Sequence, residues 1–195
     1  QTYKNILKDY STHHHKIIFE KNSIAINYLK KRGISEKAIS EFQIGFVPED
    51  SDYYNELSKK FNENEILQSG LFYKNEKYKK FINRFHSRII FPIKNITGDV
   101  IAFGGRIIGD KKLAKYINSP ETEFYKKGNN LYNINSAKGF RDKNNEAFIV
   151  EGYMDVVNLH KFGIQNVVAN LGTAMTERQI DLMWRFFKNP IICLD

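Results

Sequence analysis

Apolar residues in the first third of the chain recur at helical spacing, and this periodicity predicts that the region is helical. Ile17, Ile24 and Leu29 belong to one such run, and Gly33 follows it. Glycine is common just beyond the last turn of a helix, because it adopts left-handed angles without steric cost. We therefore expect one helical run that ends near Gly33.

Three shorter helices are predicted next, from residues that favour helix termini. Ser35 is a suitable N-cap for the first helix, and either Asp50 or Ser51 for the second. Gly70 follows the third helix and is expected to end it. The three predicted spans are 35–42, 50–61 and 63–69.

A change to strand-forming residues then predicts a β-hairpin, with strands at 88–93 and 99–103. Pro92 has no amide hydrogen, so it predicts an edge or a bulge in the first strand. Gly104 and Gly105 follow the second strand at once, and they leave the backbone free to approach a ligand closely. Residues 110–130 are polar and are expected to form a loop.

The last part of the chain alternates between strand and helix patterns. Gly163 is expected to end the first helix, and Thr176 with Gln179 predicts a capping box at the start of the second. Such alternation favours a parallel sheet with right-handed crossovers. The predicted strands and helices, in turn, cover 147–150, 152–162, 165–169, 176–188 and 190–194.

A polar connector at 136–145 separates these two patterns and is the expected domain boundary. The predicted fold class is α/β, with a basic α+β subdomain over 1–142 and a parallel α/β subdomain over 143–195. Three strands make a small sheet, and the chain stops on a strand. We therefore expect the second subdomain to be truncated and the natural protein to continue.

Composition indicates a globular protein, since 42% of the residues are hydrophobic and 27% are charged. No apolar run approaches the length of a membrane span, and no signal peptide pattern is present. The single cysteine, Cys193, lies in an apolar strand and is expected to be a buried thiol. A reducing compartment fits best, either a bacterial cytoplasm or an organelle of bacterial origin.

The net charge of +8 is concentrated in the predicted N-terminal subdomain. Residues 1–142 contain 25 Lys/Arg against 16 Asp/Glu, whereas residues 143–195 contain five against six. A basic region of this kind attracts polyanions such as nucleic acid. A solvated lysine-rich face, or the codon usage of an AT-rich genome, explains the same charge without a ligand.

Carboxylates follow two of the predicted parallel strands. Glu151 comes directly after the first strand, Asp155 one helical turn later, and Asp195 at the end of the last strand. Ligands of open α/β sheets bind at the carboxyl ends of the strands, and gathered carboxylates suit Mg²⁺. The alternative is that Glu151 and Asp155 only complement the positive N-terminus of their helix.

A loop of small residues and three basic segments are further candidates for chemistry. The loop at 170–174 would let phosphate approach the backbone, or it only makes a turn. The basic segments lie at 103–106, 115–122 and 126–128, and they interleave cations with glycine, tyrosine and asparagine. Because Arg84 and Arg88 lie in and beside the hairpin, we favour an anion-binding surface over an isolated basic loop. His13–His15 has no metal ligand at suitable spacing, and we interpret it as a solvated run.

Taken together, these motifs resemble the RNA-polymerase core of bacterial DnaG-type primases. The C-terminal part, with Glu151-Gly-Tyr-Met-Asp155, Leu171-Gly-Thr173 and Asp195, resembles their Toprim domain. The upstream part resembles their N-terminal core subdomain. The segments that carry the upstream resemblance are Tyr28–Ile34, Phe42–Gly45, Arg88–Ile93, Phe103–Arg106 and Lys115–Thr122.

The resemblance implies template-directed synthesis of short RNA primers on single-stranded DNA, from NTPs and with Mg²⁺ or Mn²⁺. It implies that Glu151, Asp155 and Asp195 are the catalytic residues. Glu151 and Asp195, the latter as the first aspartate of an Asp-x-Asp pair, would also bind the metal, and Asp155 would lie close to them. It also implies that basic and polar residues bind template or nucleotide along the groove next to this site. With the basic residues favoured above, this set comprises Arg84, Arg88, Arg106, Lys115, Asn118 and Lys127.

Other features of these primases are not found in the sequence. One cysteine cannot build the zinc module that precedes the core, and the C-terminal module that binds the replicative helicase is also missing. We therefore expect an excised catalytic core, inactive alone, with an RNA–DNA hybrid as the parent enzyme's product and no membrane partner. The alternatives are a non-polymerising Toprim module for DNA repair or assembly, and a Toprim metal-dependent nuclease.

Overall fold

The structure is a computed structural model that describes residues 2–20, 23–109, 112–140, 144–172 and 174–193. Its helices are α1 Thr2–Ile17, α2 Ile24–Lys31, α3 Glu36–Glu41, α4 Tyr53–Ser58, α5 Glu63–Gln68, α6 Ile134–Ala137, α7 Tyr153–Lys161 and α8 Glu177–Trp184. Its strands are β1 Gly45–Val47, β2 Phe72–Asn75, β3 Lys80–Asn83, β4 Arg88–Lys94, β5 Val100–Ile107, β6 Tyr116–Asn118, β7 Glu146–Val150, β8 Val167–Ala169 and β9 Asn189–Ile192. The predicted mixture of an antiparallel part followed by a parallel part is confirmed.

The single N-terminal helical run that the sequence predicted is wrong, because two helices occupy this region. α1 ends at Ile17, and the Ser23 hydroxyl caps α2 by accepting a hydrogen bond from the Ile26 amide at 3.3 Å. A serine cap competes with helix continuation, so the apolar periodicity spans a break. Gly33 does end α2, with a φ of 79°.

The histidines of α1 are packed, not solvated, which corrects the sequence-based interpretation. His14 is fully buried, and its Nδ1 lies 2.9 Å from the Tyr10 carbonyl oxygen. The His13 ring stacks on Tyr53 at 3.9 Å, and His15 Nδ1 lies 2.7 Å from the Ile44 carbonyl oxygen. His13 and His15 therefore attach α1 to Tyr53 of α4 and to the residue before β1.

The antiparallel sheet has the strand order β1-β4-β5-β6. Its central hairpin, β4–β5, confirms the predicted hairpin, but β5 continues to Ile107 and places Gly104 and Gly105 inside the strand. Pro92 lies on an interior strand, at a point beyond the pairing with β1, and a register shift follows at Ile93. The missing amide hydrogen of Pro92 is therefore tolerated locally, as an edge position or a bulge would allow.

Several short strands were not predicted. Four strands were missed, β1, β2, β3 and β6, and each of them is three or four residues long. β6 lies within the segment 110–130 that was expected to be a loop. β6 pairs with β5, so that Gly104 is opposite Asn118 and Arg106 is opposite Tyr116. Pairing with an existing hairpin creates such a strand, and the polar sequence does not reveal it.

The predicted helix ends are mostly confirmed. Ser35 caps α3, and α5 ends before Gly70, which has a φ of 74°. The expected cap at Asp50 or Ser51 is wrong: Asp52 precedes α4, and its side chain makes no capping hydrogen bond.

The parallel sheet has the order β8-β7-β9, and both pairs of strands are parallel, as predicted. Gly163 follows α7 with a φ of 80°, and Thr176 with Gln179 forms the predicted capping box of α8. The expected burial of Cys193 is wrong, because the residue is exposed just beyond β9. β9 is an edge strand with β7 as its described neighbour, so one side of it remains open.

The two sheets share one hydrophobic core. Ile89 and Phe91 of β4 belong to the same buried cluster as Val156 and Val157 of α7. The backbone of Tyr132 also pairs with Ala169 of β8, with N···O distances of 2.9 and 3.2 Å. The start of α7 is therefore fixed against the antiparallel sheet, and this contact positions the site.

Candidate functional site

The described carboxylates of the candidate site lie where β7 meets α7. Glu151 follows β7 directly and is exposed, and it has no hydrogen-bond or ion-pair partner among the described residues. Asp155 lies in the first turn of α7, where its Oδ2 accepts a hydrogen bond from the Gly152 amide at 3.0 Å. One oxygen of Asp155 thus caps the helix, as the alternative interpretation expected, and its other oxygen is left for a ligand.

Asp195 and Thr173 lie outside the described residues, so their predicted places in the site stay predictions. β7 and β9 run side by side in parallel, and Ile149, two residues before Glu151, is paired with Ile192 at the end of β9. In the described part of the chain, no three or more histidine, cysteine, aspartate or glutamate side chains are placed so that they could hold a metal ion together.

Glu151 and Asp155 face a cavity of about 520 Å³ between the two sheets. Across it lie Tyr116 and Asn118 of β6, together with Lys127. Carboxylates, an ammonium group, an amide and an aromatic ring therefore converge on one space. Such a set of groups suits a phosphate ester that carries a base and is held with the help of a cation.

Asn118 connects the antiparallel sheet to both sides of the cavity. Its Oδ1 accepts a short hydrogen bond from the Tyr153 hydroxyl, and its Nδ2 donates to the Leu171 carbonyl at 2.9 Å. Burial raises the pKa of Tyr153 well above its ordinary value, which keeps the hydroxyl protonated as a donor. Asn118 therefore acts first as a structural link at the edge of the cavity.

Gly104 permits this link, because a Cβ atom at that position would overlap the Tyr153 ring. Gly105 has a similar role on the other face of β5, where a Cβ would lie 2.6 Å from Phe85 Cδ1 and 3.1 Å from Arg88 Cδ. The two glycines thus leave room for Tyr153 on one face of β5 and for Phe85 on the other. The sequence predicted close approach of a ligand at these glycines, and in the structure the Tyr153 and Phe85 side chains lie close to them.

Lys127 is positioned by a buried glutamine of α8. Gln179 Nε2 donates to the Lys127 carbonyl at 3.1 Å and to the Asn130 carbonyl at 2.8 Å. The Lys127 amide donates to Glu121 Oε1 at 3.1 Å. The turn that carries Lys127, a 3₁₀ helix at Lys127–Asn129, is therefore fixed through its backbone, and Lys127 lines the cavity.

The two arginines of the antiparallel sheet are buried. Arg88 is 4% exposed, and its Nη1 donates to the Ala114 carbonyl at 2.9 Å. Burial, and then the charge of Arg106, lower the pKa of Arg88. Arg106 is 8% exposed, and its Nε donates to the Tyr28 hydroxyl at 2.9 Å. Both guanidinium groups thus hold neighbouring segments in place.

The other two cations differ in position. Lys115 is exposed immediately before β6, next to Tyr116, which lines the cavity. Arg84 lies after the β2–β3 hairpin, where its Nε donates to the Gly70 carbonyl at 2.9 Å and its guanidinium lies 5.5 Å from the Tyr73 ring centre. Arg84 does not line the cavity with the carboxylates.

The structure therefore brings together Glu151, Asp155, Asn118 and Lys127 from the predicted set. Sequence reasoning missed the roles of Tyr28, Tyr116, Tyr153 and Gln179. Tyr116 belongs to the basic segment 115–122, and Tyr153 to the motif Glu151–Asp155. The contacts of both tyrosines depend on which strands pair, and the motifs do not show this. Gln179 had been predicted as a helix cap, and its second role as a donor to two carbonyls has no local signal.

Two family models match the chain. The model described as the DNA primase catalytic core, N-terminal domain, matches residues 12–138, and a Toprim domain model matches residues 145–195. A DNA primase of Clostridium acetobutylicum is 42% identical over 184 residues, which cover 90% of this chain and 29% of that protein. A DNA primase of Pasteurella multocida is 43% identical over 173 residues, which cover 88% of this chain and 29% of that protein. The chain thus spans about three tenths of the length of these relatives.

Solved structures agree with the sequence comparisons. The Aquifex aeolicus primase, with zinc-binding and RNA polymerase domains, superposes with a TM-score of 0.92 at 34% identity, over 100% of this chain and 48% of that chain. A DnaG primase catalytic domain bound to ssDNA gives a TM-score of 0.89 at 36% identity, over 99% of this chain and 63% of that chain. No helix in the described part of the chain is long and apolar enough to cross a membrane.

Proposed function

Because the chain belongs to the family of bacterial DNA primase catalytic cores, we propose that its parent protein makes short RNA primers on a single-stranded DNA template. This chain supplies the N-terminal core and the start of the Toprim domain. The observation that carries the proposal is the convergence of Glu151, Asp155 and Lys127 on one cavity between the two sheets.

The described donors fit a divalent cation. Mg²⁺ usually takes one or two protein carboxylates and completes its octahedron with water and substrate phosphates. Glu151 has both carboxylate oxygens available among the described residues, and Asp155 has one. We propose that Glu151 and Asp195 would hold Mg²⁺ or Mn²⁺, with Asp155 as an acidic residue close to that site. When bound, the ion neutralises phosphate charge and lowers the pKa of an attacking hydroxyl.

The reaction is a nucleotidyl transfer. The 3′-hydroxyl of one nucleotide loses its proton to solvent, and its oxygen forms a bond to the α-phosphorus of an incoming NTP. The bond from that phosphorus to the oxygen bridging to the β-phosphate breaks, and pyrophosphate leaves with the electron pair of that bond. Lys127, held by its backbone, places a positive charge near the phosphates. Lys115, on the surface next to the cavity, binds phosphates of the template DNA strand.

The buried arginines have a different role in this proposal. Arg88 holds the backbone at Ala114, next to Lys115, and Arg106 holds Tyr28. Arg84 holds the hairpin beside Gly70, away from the cavity. These residues position the groove, and Asn118 fixes the distance between its two sides.

The remaining proposals concern the parent protein. We propose two subdomains, 1–142 and 143–195, since the antiparallel and parallel sheets lie on opposite sides of the connector. We also propose that the complete enzyme carries a zinc module and a helicase-binding module outside this chain. On the strength of the bacterial relatives, we place the enzyme in the bacterial cytoplasm, at the replication fork.

The proposal is tested by incorporation of labelled NTPs on single-stranded DNA, with the parent chain extended beyond Asp195 and with Mg²⁺ or Mn²⁺. Short RNA products that disappear with Glu151→Gln would support a primase and its active site. Retained synthesis in Glu151→Gln would overturn the catalytic assignment. Template binding without products would favour a DNA-binding Toprim module, and shortened template with no NTP consumed would favour a nuclease.

A further inference from the structure

Four side chains form an alternating stack of cations and aromatic rings. The Arg32 guanidinium carbon lies 5.5 Å from the Tyr28 ring centre, and that of Arg106 lies 5.6 Å from the same ring. Arg106 also lies 4.9 Å from the ring centre of Tyr116. The stack therefore runs from α2 across the end of β5 to β6, in the order Arg32, Tyr28, Arg106, Tyr116.

The inner members of the stack have their contacts within the protein. Arg106 is buried between two rings and donates its Nε hydrogen to the Tyr28 hydroxyl. Because Arg106 is only 8% exposed, a nucleic acid phosphate has little access to it. The stack thus fixes Arg106 and, through it, the plane of the Tyr116 ring.

Tyr116 is the open end of the stack. It is 44% exposed and lines the same cavity as Glu151 and Asp155. In the described part of the chain no second ring packs against it. An aromatic ring held by a guanidinium on one side and open on the other is suited to receive a flat ligand.

We propose that Tyr116 is a base-stacking residue of the nucleic acid groove and that Arg106 acts as its positioning residue. The inference rests on the proposed function and deepens it, because the ligand is a nucleobase, either of the template strand or of a bound nucleotide. Every base has a π-face, so the contact is tolerant of sequence. This role differs from the direct contact that the sequence assigned to Arg106.

The surrounding charges favour this ligand. Lys115 precedes Tyr116 in the chain, and Lys127 lines the same cavity. The phosphates of a nucleotide whose base stacks on the Tyr116 ring would therefore lie near these two cations. Burial raises the pKa of Tyr116, which keeps its ring neutral at physiological pH. A neutral ring avoids repulsion from the phosphates of a bound strand.

The test uses the chain of 195 residues with 2-aminopurine, a base whose fluorescence is quenched when it stacks. One arm uses a short oligothymidylate with 2-aminopurine at successive positions. The other arm uses 2-aminopurine riboside triphosphate with Mg²⁺. Quenching in the first arm alone identifies a template base, and quenching in the second alone identifies the nucleotide.

Variants separate stacking from folding and from charge. Tyr116→Leu is expected to abolish quenching at saturation and to weaken binding on the order of tenfold, whereas Tyr116→Phe keeps both. Arg106→Lys keeps the positive charge but replaces the planar guanidinium, which holds the Tyr116 ring, with an ammonium group. Quenching of 2-aminopurine is therefore expected to fall in this variant. Tyr78→Leu is the matched control, since Tyr78 is an exposed tyrosine with Lys77 at 5.2 Å, on the β2–β3 turn.

The outcomes are distinguishable. Binding with equal quenching in wild type and Tyr116→Leu would overturn the inference and leave the proposed function standing. Equal loss of quenching in Tyr78→Leu would also overturn it. Absence of binding to both probes by the unmodified chain would overturn the inference together with the proposed groove. Thermal melting of each variant checks that the fold is retained.

Discussion

The ring of Tyr153 lies directly against the backbone of Gly104, at a place where any side chain on Gly104 would overlap it. Tyr153 is two residues from Glu151 and begins α7, whereas Gly104 is in the centre of the antiparallel sheet. The packing of one sheet therefore sets the position of a carboxylate that belongs to the other.

Replacing Gly104 with alanine is expected to destabilise the protein by about 1–3 kcal/mol, because the added methyl group overpacks the junction. Urea unfolding followed by circular dichroism measures the change. Gly139→Ala is the matched control, since its Cβ would meet the Ser136 carbonyl oxygen at an ordinary 3.4 Å. Equal stability of the two variants would show that Tyr153 moves aside without cost.

His14 is expected to make the protein less stable in acid. Burial lowers its pKa from 6.5 to about 3, so the unfolded chain takes up a proton at pH values where the native state does not. Stability therefore falls as the pH drops below about 6.5, and His13 and His160 contribute in the same direction.

Replacing His14 with glutamine removes this component of the pH dependence. Between pH 7.5 and pH 5.5 the loss of stability is expected to be smaller in His14→Gln than in wild type by about 1.4 kcal/mol. Urea unfolding at the two pH values measures both losses. Identical losses in the two proteins would contradict the proposed neutral state of buried His14.

The exposed and buried cations are expected to differ in their effect on DNA binding. Lys115→Ala should weaken binding to oligothymidylate and reduce the slope of log affinity against log salt by about 0.7, which is the value for one phosphate contact on a single strand. Lys59→Ala is the control, because Lys59 is an exposed partner of Glu56 of α4 and does not line the cavity.

Arg88→Gln is expected to lower the melting temperature but to leave the salt slope unchanged. Its guanidinium is buried and bound to the Ala114 carbonyl, so its loss leaves a polar group unpaired and removes no phosphate contact. Thermal melting and salt titrations on the same sample separate the two effects. A reduced salt slope in this variant would mean that Arg88 contacts DNA directly.

Gln179→Leu is expected to destabilise the chain by about 1–3 kcal/mol, because it leaves the carbonyl groups of Lys127 and Asn130 without their donor. Asp181→Asn, at an exposed position of the same helix, controls for changes in α8. Stability is measured by urea unfolding. A neutral effect would mean that water replaces the glutamine amide in both hydrogen bonds.

The sequence was sufficient for elements whose signals are local. Ser35, Thr176 and Gly163 define helix ends through their own side chains or backbone angles, and the β4–β5 hairpin follows from its turn. The parallel sheet followed from alternation along the chain. Each of these predictions depended on neighbouring residues alone.

The sequence was insufficient where distant segments decide the outcome. β6 forms by pairing with β5, in the register that places Tyr116 opposite Arg106, and its own polar sequence does not indicate a strand. The burial of Arg106 follows from its contact with Tyr28, and charge alone had suggested a surface role. The charge of Arg106 could be read from the sequence, whereas its burial depends on this contact with a distant helix.

The backbone pairing of Tyr132 with Ala169 crosses the connector at 136–145. A protease that cut the connector would leave two polypeptides, yet this pairing and the shared hydrophobic core would keep them bound to each other. The two pieces expressed separately should accordingly reassociate, which makes the chain a natural system for fragment complementation.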